Sequence, residues 1–156
     1  MQILIAYAGK TGTTKKCAEI LCQKLDNVTI VNLDMQDVDV TKYDFVIIGS
    51  SIRIGMIHSK IKKFINKNAE ILKTKNTAYY ICCGFNNNYK EYFEKNISKE
   101  LLTSAIIYDT FGGELDISKQ KGLSKFVVKM ASKTEEGKKE IKILTENIDK
   151  FVEAIK

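Results

Sequence analysis

Five short runs of apolar, often β-branched residues punctuate the chain at 2–7, 28–33, 45–49, 77–83 and 104–111, each of strand length. Between them the apolar positions fall at helical spacing. Ala18, Leu21, Cys22 and Leu25 form one stripe over 13–25, and Ile61, Phe64, Ile65, Asn68 and Leu72 form another over 58–72, with Lys60, Lys62, Lys63 and Lys67 turned mostly to water. A less regular helix is expected over 89–102. Clean three-and-four spacing of Ile141, Leu144, Ile148, Phe151, Val152 and Ile155 predicts a closing helix over 140–155. The stretch after the second strand, DMQDVDVTKYD, is short and acidic, so its helix is expected to be missing or a single turn.

Strands apolar on consecutive residues, alternating with helices, predict a parallel sheet covered on both faces. With right-handed crossovers this gives an α/β fold: a doubly wound five-stranded sheet in the order 2-1-3-4-5, within one domain spanning 1–156. One segment departs from that plan. In 114–138 the stretch LSKFVVKM puts Leu123, Phe126, Val127 and Met130 on one face, while Lys121, Lys125, Lys129 and Lys133 recur every four residues. It reads as a short basic amphipathic insert, either packed on the core edge with a solvated lysine face or contacting an anionic partner or membrane surface through Lys121, Lys125 and Lys129.

A chain of 156 residues with 44% hydrophobic content is large enough for one core. No apolar run approaches membrane-spanning length and the first residues show no signal pattern, so a cytoplasmic protein is expected, with a peripheral place at the inner face of the membrane as its other reading. The four cysteines, Cys17, Cys22, Cys82 and Cys83, show no C-x-x-C spacing, and His58 is the only histidine. Reduced thiols packed near the core are expected, with no metal site. The net charge is +6, and all but one of the 25 basic residues are lysines; the exception is Arg53. A planar, bidentate cation is therefore available at one place only. No nucleic-acid partner is expected.

In an open parallel sheet, ligands bind beyond the carboxyl ends of the strands where strand order reverses, here between the first and third. YAGKTGTTKK, residues 7–16, stands at that crevice. A helix starting near Thr13 offers unpaired N–H groups and the positive end of its dipole to an anion, Gly9 and Gly12 allow close approach, and threonine hydroxyls add donors. A Walker loop is ruled out because Leu4 occupies its first glycine position, and a dinucleotide fingerprint because no third glycine follows.

GKTGTT, residues 9–14, resembles the phosphate loop [ST]-x-T-G-x-T of flavodoxins, with Gly9 in place of the first hydroxyl residue. The resemblance implies that Gly9, Lys10, Thr11, Gly12, Thr13 and Thr14 surround the phosphate of FMN. It further implies that GSSIRIGMIHS, residues 49–59, lies against the isoalloxazine ring through Ser50, Ser51, Ile52, Arg53, Ile54 and Gly55, with peptide groups near the ring's N5 tuning its redox states. CCGFNNNYKEYF, residues 82–93, then corresponds to the second ring loop, with Cys83, Gly84, Phe85, Asn86, Asn87 and Tyr89 as contacts; Asn88 is a further amide. There is no tryptophan, so an aromatic or aliphatic residue must take its place against the ring, with Phe85 and Tyr89 the aromatic candidates.

Residues 43–68 and GLSKFVVKM are similar to the flavodoxin-like protoporphyrinogen oxidases, which share G-[AS]-S-I-R-x-G followed by a histidine–serine pair. That resemblance implies an FMN-dependent oxidoreductase that takes electrons from an organic, anionic substrate and passes them to a quinone or carrier, with Arg53 as the catalytic candidate. Positive charge at Lys10 and Arg53 favours an anionic reduced flavin and hence a less reducing one. The alternatives are a one-electron carrier docking a redox partner through its basic surface, and a flavin-free scaffold. His58 is expected as a surface residue at a helix start, with proton transfer as its other reading.

Overall fold

Every residue of β1 (Ile3–Ala8) is buried, and its side chains alternate between two cores. Ile3, Ile5 and Tyr7 pack with Cys17, Ala18 and Leu21 on one face, while Leu4, Ala6 and Ala8 pack with Ile61, Phe64 and Ile65 on the other. That two-sided burial is why the strand is apolar at consecutive positions rather than alternate ones. The computed structural model describes residues 1–84, 87–113 and 142–156.

The elements follow as α1 (Thr13–Lys24), β2 (Val28–Asn32), a 3₁₀ turn (Val40–Lys42), β3 (Phe45–Arg53), β4 (Met56–Ile57), α2 (Ser59–Leu72) and β5 (Asn76–Cys82). Then come α3 (Tyr89–Asn96), α4 (Lys99–Ser104), β6 (Ile107–Thr110) and α5 (Thr145–Ile155). Five parallel strands lie in the order β2-β1-β3-β5-β6, and β4 pairs antiparallel with the end of β3. The architecture is the expected α/β sheet in its expected order, with the two-residue β4 added. α1 and α5 cover one face; α2, α3 and α4 cover the other.

Four boundaries differ from expectation by more than a residue or two. β3 runs on to Arg53, so Ser50, Ser51, Ile52 and Arg53 are strand rather than loop. The third helix is two: Ile97 is extended and buried, and Ser98 caps a new helix by accepting from the Leu101 amide at 3.3 Å. Ser104 consequently ends α4, and the last strand begins only at Ile107. The closing helix starts at Thr145 because Ile143 instead forms a bridge with Gly112. The basic insert, with Lys121, Lys125, Lys129 and Lys133, lies outside the described residues, as do Phe85 and Asn86.

Candidate functional site

Parallel register sets Ala8, Ser50 and Ile81 side by side across β1, β3 and β5. The segments leaving these three strands therefore emerge at one edge of the sheet, at the point where β1 and β3 diverge in chain order.

The first segment turns at Gly12, whose φ of 92° places it in the left-handed region, and α1 follows. Among the described residues no side chain caps α1, and its first turn holds no acidic residue. The amides of that turn have no intrahelical acceptors and lie at the positive end of the helix dipole, an arrangement suited to an anion. Thr13 and Thr14 are buried, Thr11 is half-buried and Lys10 is exposed. Gly9 departs from the hydroxyl residue of the related loop for a local reason: a Cβ there would stand 2.6 Å from Thr14 Oγ1. The Thr14 side chain occupies that space. From below, the phenol of Tyr80 donates to the Thr14 carbonyl at 3.0 Å. Burial pushes this phenol well above its usual pKa, so it remains a neutral donor.

Tyr80 also explains Gly49. A Cβ at position 49 would lie 2.0 Å from the Tyr80 ring, so this glycine makes room for a side chain inside the sheet. Ser50 is likewise internal. It is 2% exposed, donates to the Ser51 carbonyl at 2.9 Å and accepts from the His58 amide at 2.9 Å. Ser51 is different: its Oγ is buried with no hydrogen-bond partner among the described residues, and its Cβ lies beside Gly9. An orphaned buried hydroxyl costs about 1–3 kcal/mol, so its place next to an uncapped helix start fits a ligand that brings hydrogen-bonding groups.

The second segment is a hairpin. Ile52 pairs with Ile57 and Arg53 with Met56, leaving Ile54 and Gly55 as a two-residue turn with φ of 52° and 72°. This turn class needs positive φ at both central residues and ordinarily takes Asn-Gly or Gly-Gly. A β-branched residue there is strained, and Ile54 is also 80% exposed. Neither the backbone nor the solvent favours isoleucine at this tip. Replacing it by asparagine (Ile54→Asn) is expected to stabilise the flavin-free chain by about 1 kcal/mol in urea denaturation. Destabilisation would show that Ile54 makes folding contacts its exposure does not reveal.

His58 follows the hairpin and is not the surface residue expected. Its side chain is only 8% exposed, Nδ1 accepts from the Lys60 amide at 3.2 Å to cap α2, and Nε2 lies 3.6 Å from Asp34 Oδ1. Burial lowers its pKa; Asp34 opposes this, while Lys10 and Lys60 reinforce it. The folded state thus holds His58 neutral where the unfolded chain binds a proton. Stability is therefore expected to be full above about pH 6.5 and to fall as pH drops from there toward the folded pKa. His58→Asn, which keeps a capping acceptor, should remove that part of the slope in denaturation measured across this range. An unchanged slope would assign the titration to another group.

The third segment begins at Cys83, whose amide donates to the Gly112 carbonyl at 2.9 Å. Cys83 is buried, with Sγ 3.7 Å from Thr110 Oγ1 on the face opposite Cys82. Cys82 Sγ instead lies 3.7 Å from Cys17 Sγ, and all four cysteines are free thiols. Gly84 is half-buried, Asn87 exposed and Tyr89 half-buried with its ring edge-on to Phe93 at 6.4 Å. No local pattern in the chain marks Tyr80, Asp34 or Asn96 as supports of Thr14, His58 and Gly55. Each acts on residues far away in the chain.

The crevice thus combines a doubly wound parallel sheet, an uncapped helix start rich in hydroxyls and a strained hairpin beside it. That is the layout of an α/β protein with a phosphate-compatible first loop. The chain belongs to the flavodoxin-domain family, whose model matches residues 4–142. It is 32% identical over 85 residues to the Escherichia coli (strain K12) protoporphyrinogen IX dehydrogenase [quinone], an alignment covering 51% of this chain and 47% of that protein. The chain thus spans about half the length of that curated relative. Among solved structures it is similar to a short-chain flavodoxin associated with a PDU bacterial microcompartment (TM-score 0.57, 18% identity, 99% of this chain and 96% of that one). It is also similar to a Lactobacillus acidophilus flavoprotein in complex with FMN (TM-score 0.56, 16% identity, 70% of this chain and 92% of that one). These likenesses carry the fold.

Proposed function

We propose that the chain binds FMN in this crevice and acts as a redox protein, an oxidoreductase akin to the protoporphyrinogen IX dehydrogenase it resembles. The observation that carries the reading is the junction of the uncapped α1 start with the orphaned Ser51 hydroxyl, in register with the hairpin. Lys10, Thr11, Gly12, Thr13 and Thr14 would hold the phosphate. Ser51, Ile52, Arg53, Ile54 and Gly55 would face the ring from one side, and Gly84, Asn87 and Tyr89 from the other, with Phe85 and Asn86 assigned there by sequence alone. Ser50 and Cys83, whose side chains point into the protein, would contribute through their main chain. The cofactor would supply one- and two-electron transfer.

Charge separates the two redox readings. Lys10 beside the phosphate loop and Arg53 on the hairpin would attract an anionic reduced flavin, making it less reducing and better suited to accept electrons from an organic substrate. A quinone or carrier would then take them. The cleft of about 400 Å³ between Leu33–Asp37 and α2 contributes little to substrate charge: Lys60, Lys63 and Lys67 line it together with Asp34 and Asp37. A membrane contact through Lys121, Lys125 and Lys129 belongs to the same proposal. No helix of the described residues is long and apolar enough to cross a membrane.

The test is to load the chain with FMN, reduce it without oxygen and follow reoxidation. Rapid reoxidation by a soluble quinone, with turnover of a reduced tetrapyrrole, supports the oxidoreductase. Reoxidation only by protein electron carriers supports the one-electron shuttle instead, and a chain that takes up no FMN removes both.

A further inference from the structure

α3 joins the two segments assigned to the flavin ring. Its first residue, Tyr89, follows the turn at Asn87 and Asn88, and its last, Asn96, reaches the β3–β4 hairpin. There the whole Asn96 amide is engaged. Nδ2 donates to the Gly55 carbonyl at 2.8 Å and to the Tyr92 carbonyl at 2.7 Å, while Oδ1 accepts from the Ile57 amide at 3.2 Å. Two of these bonds fall on the hairpin, one at the second residue of its turn and one in its second strand. The last turn of α3 also packs on Gly55, where a Cβ would lie 3.5 Å from Lys95 Nζ and 3.8 Å from the Tyr92 ring.

The hairpin needs such support. It has two paired positions on each strand and a turn occupied by an isoleucine in the left-handed region. So short a hairpin does not fix its own geometry. A second brace comes from the His58 amide on Ser50 Oγ, at its base.

We infer that Asn96 is a positioning residue for the flavin ring: by holding the Gly55 carbonyl and the Ile57 amide it fixes which hairpin peptide groups face the ring, and it ties the two ring-side segments to one helix. This rests on the FMN reading above. A ring nitrogen that accepts a hydrogen bond when oxidised and donates one when reduced is favoured in the first state by a facing N–H and in the second by a facing C=O. With its carbonyl tied to Asn96, Gly55 is withheld from the reduced ring. Freeing it lets that carbonyl turn and favour reduction, which raises the midpoint potential.

The experiment uses the full chain with two substitutions. Asn96→Leu removes both the donor and the acceptor. Asn96→Asp keeps the acceptor for Ile57 but sets a carboxylate against two carbonyl oxygens; on protonation its O–H again donates, so the defect should reverse at low pH. In the flavin-free protein, hydrogen exchange of the Ile57 amide is expected to quicken by at least about tenfold in both variants at neutral pH. Relative to the wild type at the same pH, that acceleration should disappear on acidification for Asn96→Asp only. In the FMN-loaded protein both variants should show a higher midpoint potential at neutral pH, with FMN affinity within about tenfold of the wild type because the phosphate contacts are untouched.

Wild-type exchange rates in both variants would overturn the clamp. Faster exchange with the potential and ring absorption of the wild type would make Asn96 a structural residue only, and would overturn the proposal while leaving FMN binding intact. A wild-type chain that takes up no FMN would overturn the reading of the site, and the ring-positioning role with it.

Discussion

Replacing Thr11 and Thr14 together by alanine is expected to lower the affinity for FMN by about 2–4 kcal/mol, a loss of roughly 30- to 1,000-fold. Each hydroxyl bonded to a phosphate dianion contributes more than a neutral hydrogen bond, because the acceptor is charged and partly withdrawn from water. The two threonines are not equivalent in the structure. Thr11 is half-buried at the rim, whereas Thr14 is 1% exposed and fills the space that a side chain on Gly9 would need. The Thr14 substitution opens a methyl-sized gap, so its folding cost must be measured separately by denaturation without flavin. Calorimetric titration then gives the binding loss. Unchanged affinity in a folded double variant would place the phosphate elsewhere.

Phe111→Ala is expected to cost about 3–5 kcal/mol of folding stability, a large part of the 5–15 kcal/mol typical of a domain. Phe111 is fully buried, stacked on Tyr80 with ring centroids 4.7 Å apart and edge-on to Phe151 at 5.0 Å. Its removal leaves a cavity under the Tyr80 ring, and Tyr80 is the residue that holds the Thr14 carbonyl from below. The packing defect should therefore reach the phosphate loop and lower FMN affinity as well, although Phe111 belongs to the core beneath α1. Tyr80→Phe is the control. It keeps the ring and deletes one hydrogen bond, with an expected loss of about 1 kcal/mol. Urea denaturation with and without FMN reads both effects. A Phe111→Ala chain as stable as the wild type would mean that the site collapses around the lost ring.

The contrast between Thr11 and Tyr80 also describes what the sequence could and could not reveal. The strand order and the phosphate-loop pattern were legible because both are local: two-sided burial makes a strand continuously apolar, and GKTGTT is contiguous. The supports of the site are not local. Tyr80 reaches Thr14 across 66 residues and Asn96 reaches Gly55 across 41, and no spacing rule links such pairs. His58 is expected at the surface because it stands at a helix start; Asp34, from a different connection, lies against it.

The hairpin was hidden for another reason. Ile54 is among the residues least suited to a two-residue turn, so local rules read the whole stretch as loop, and a strained turn held by outside contacts overrides them. The break in the third helix was readable in principle. Ser98 with Glu100 two residues later is a helix-start signal, masked by the apolar Ile97, Leu101 and Leu102 that continue the periodicity across it.

The measurement closest to the central claim is titration of the flavin-free chain with FMN and, in parallel, with riboflavin, which has the same ring but no phosphate. If the hydroxyls and amides at the start of α1 hold the phosphate, FMN binds at least about 100-fold more tightly than riboflavin, since several charge-assisted hydrogen bonds are lost together. Equal affinity for the two flavins, or binding of neither, would contradict the account.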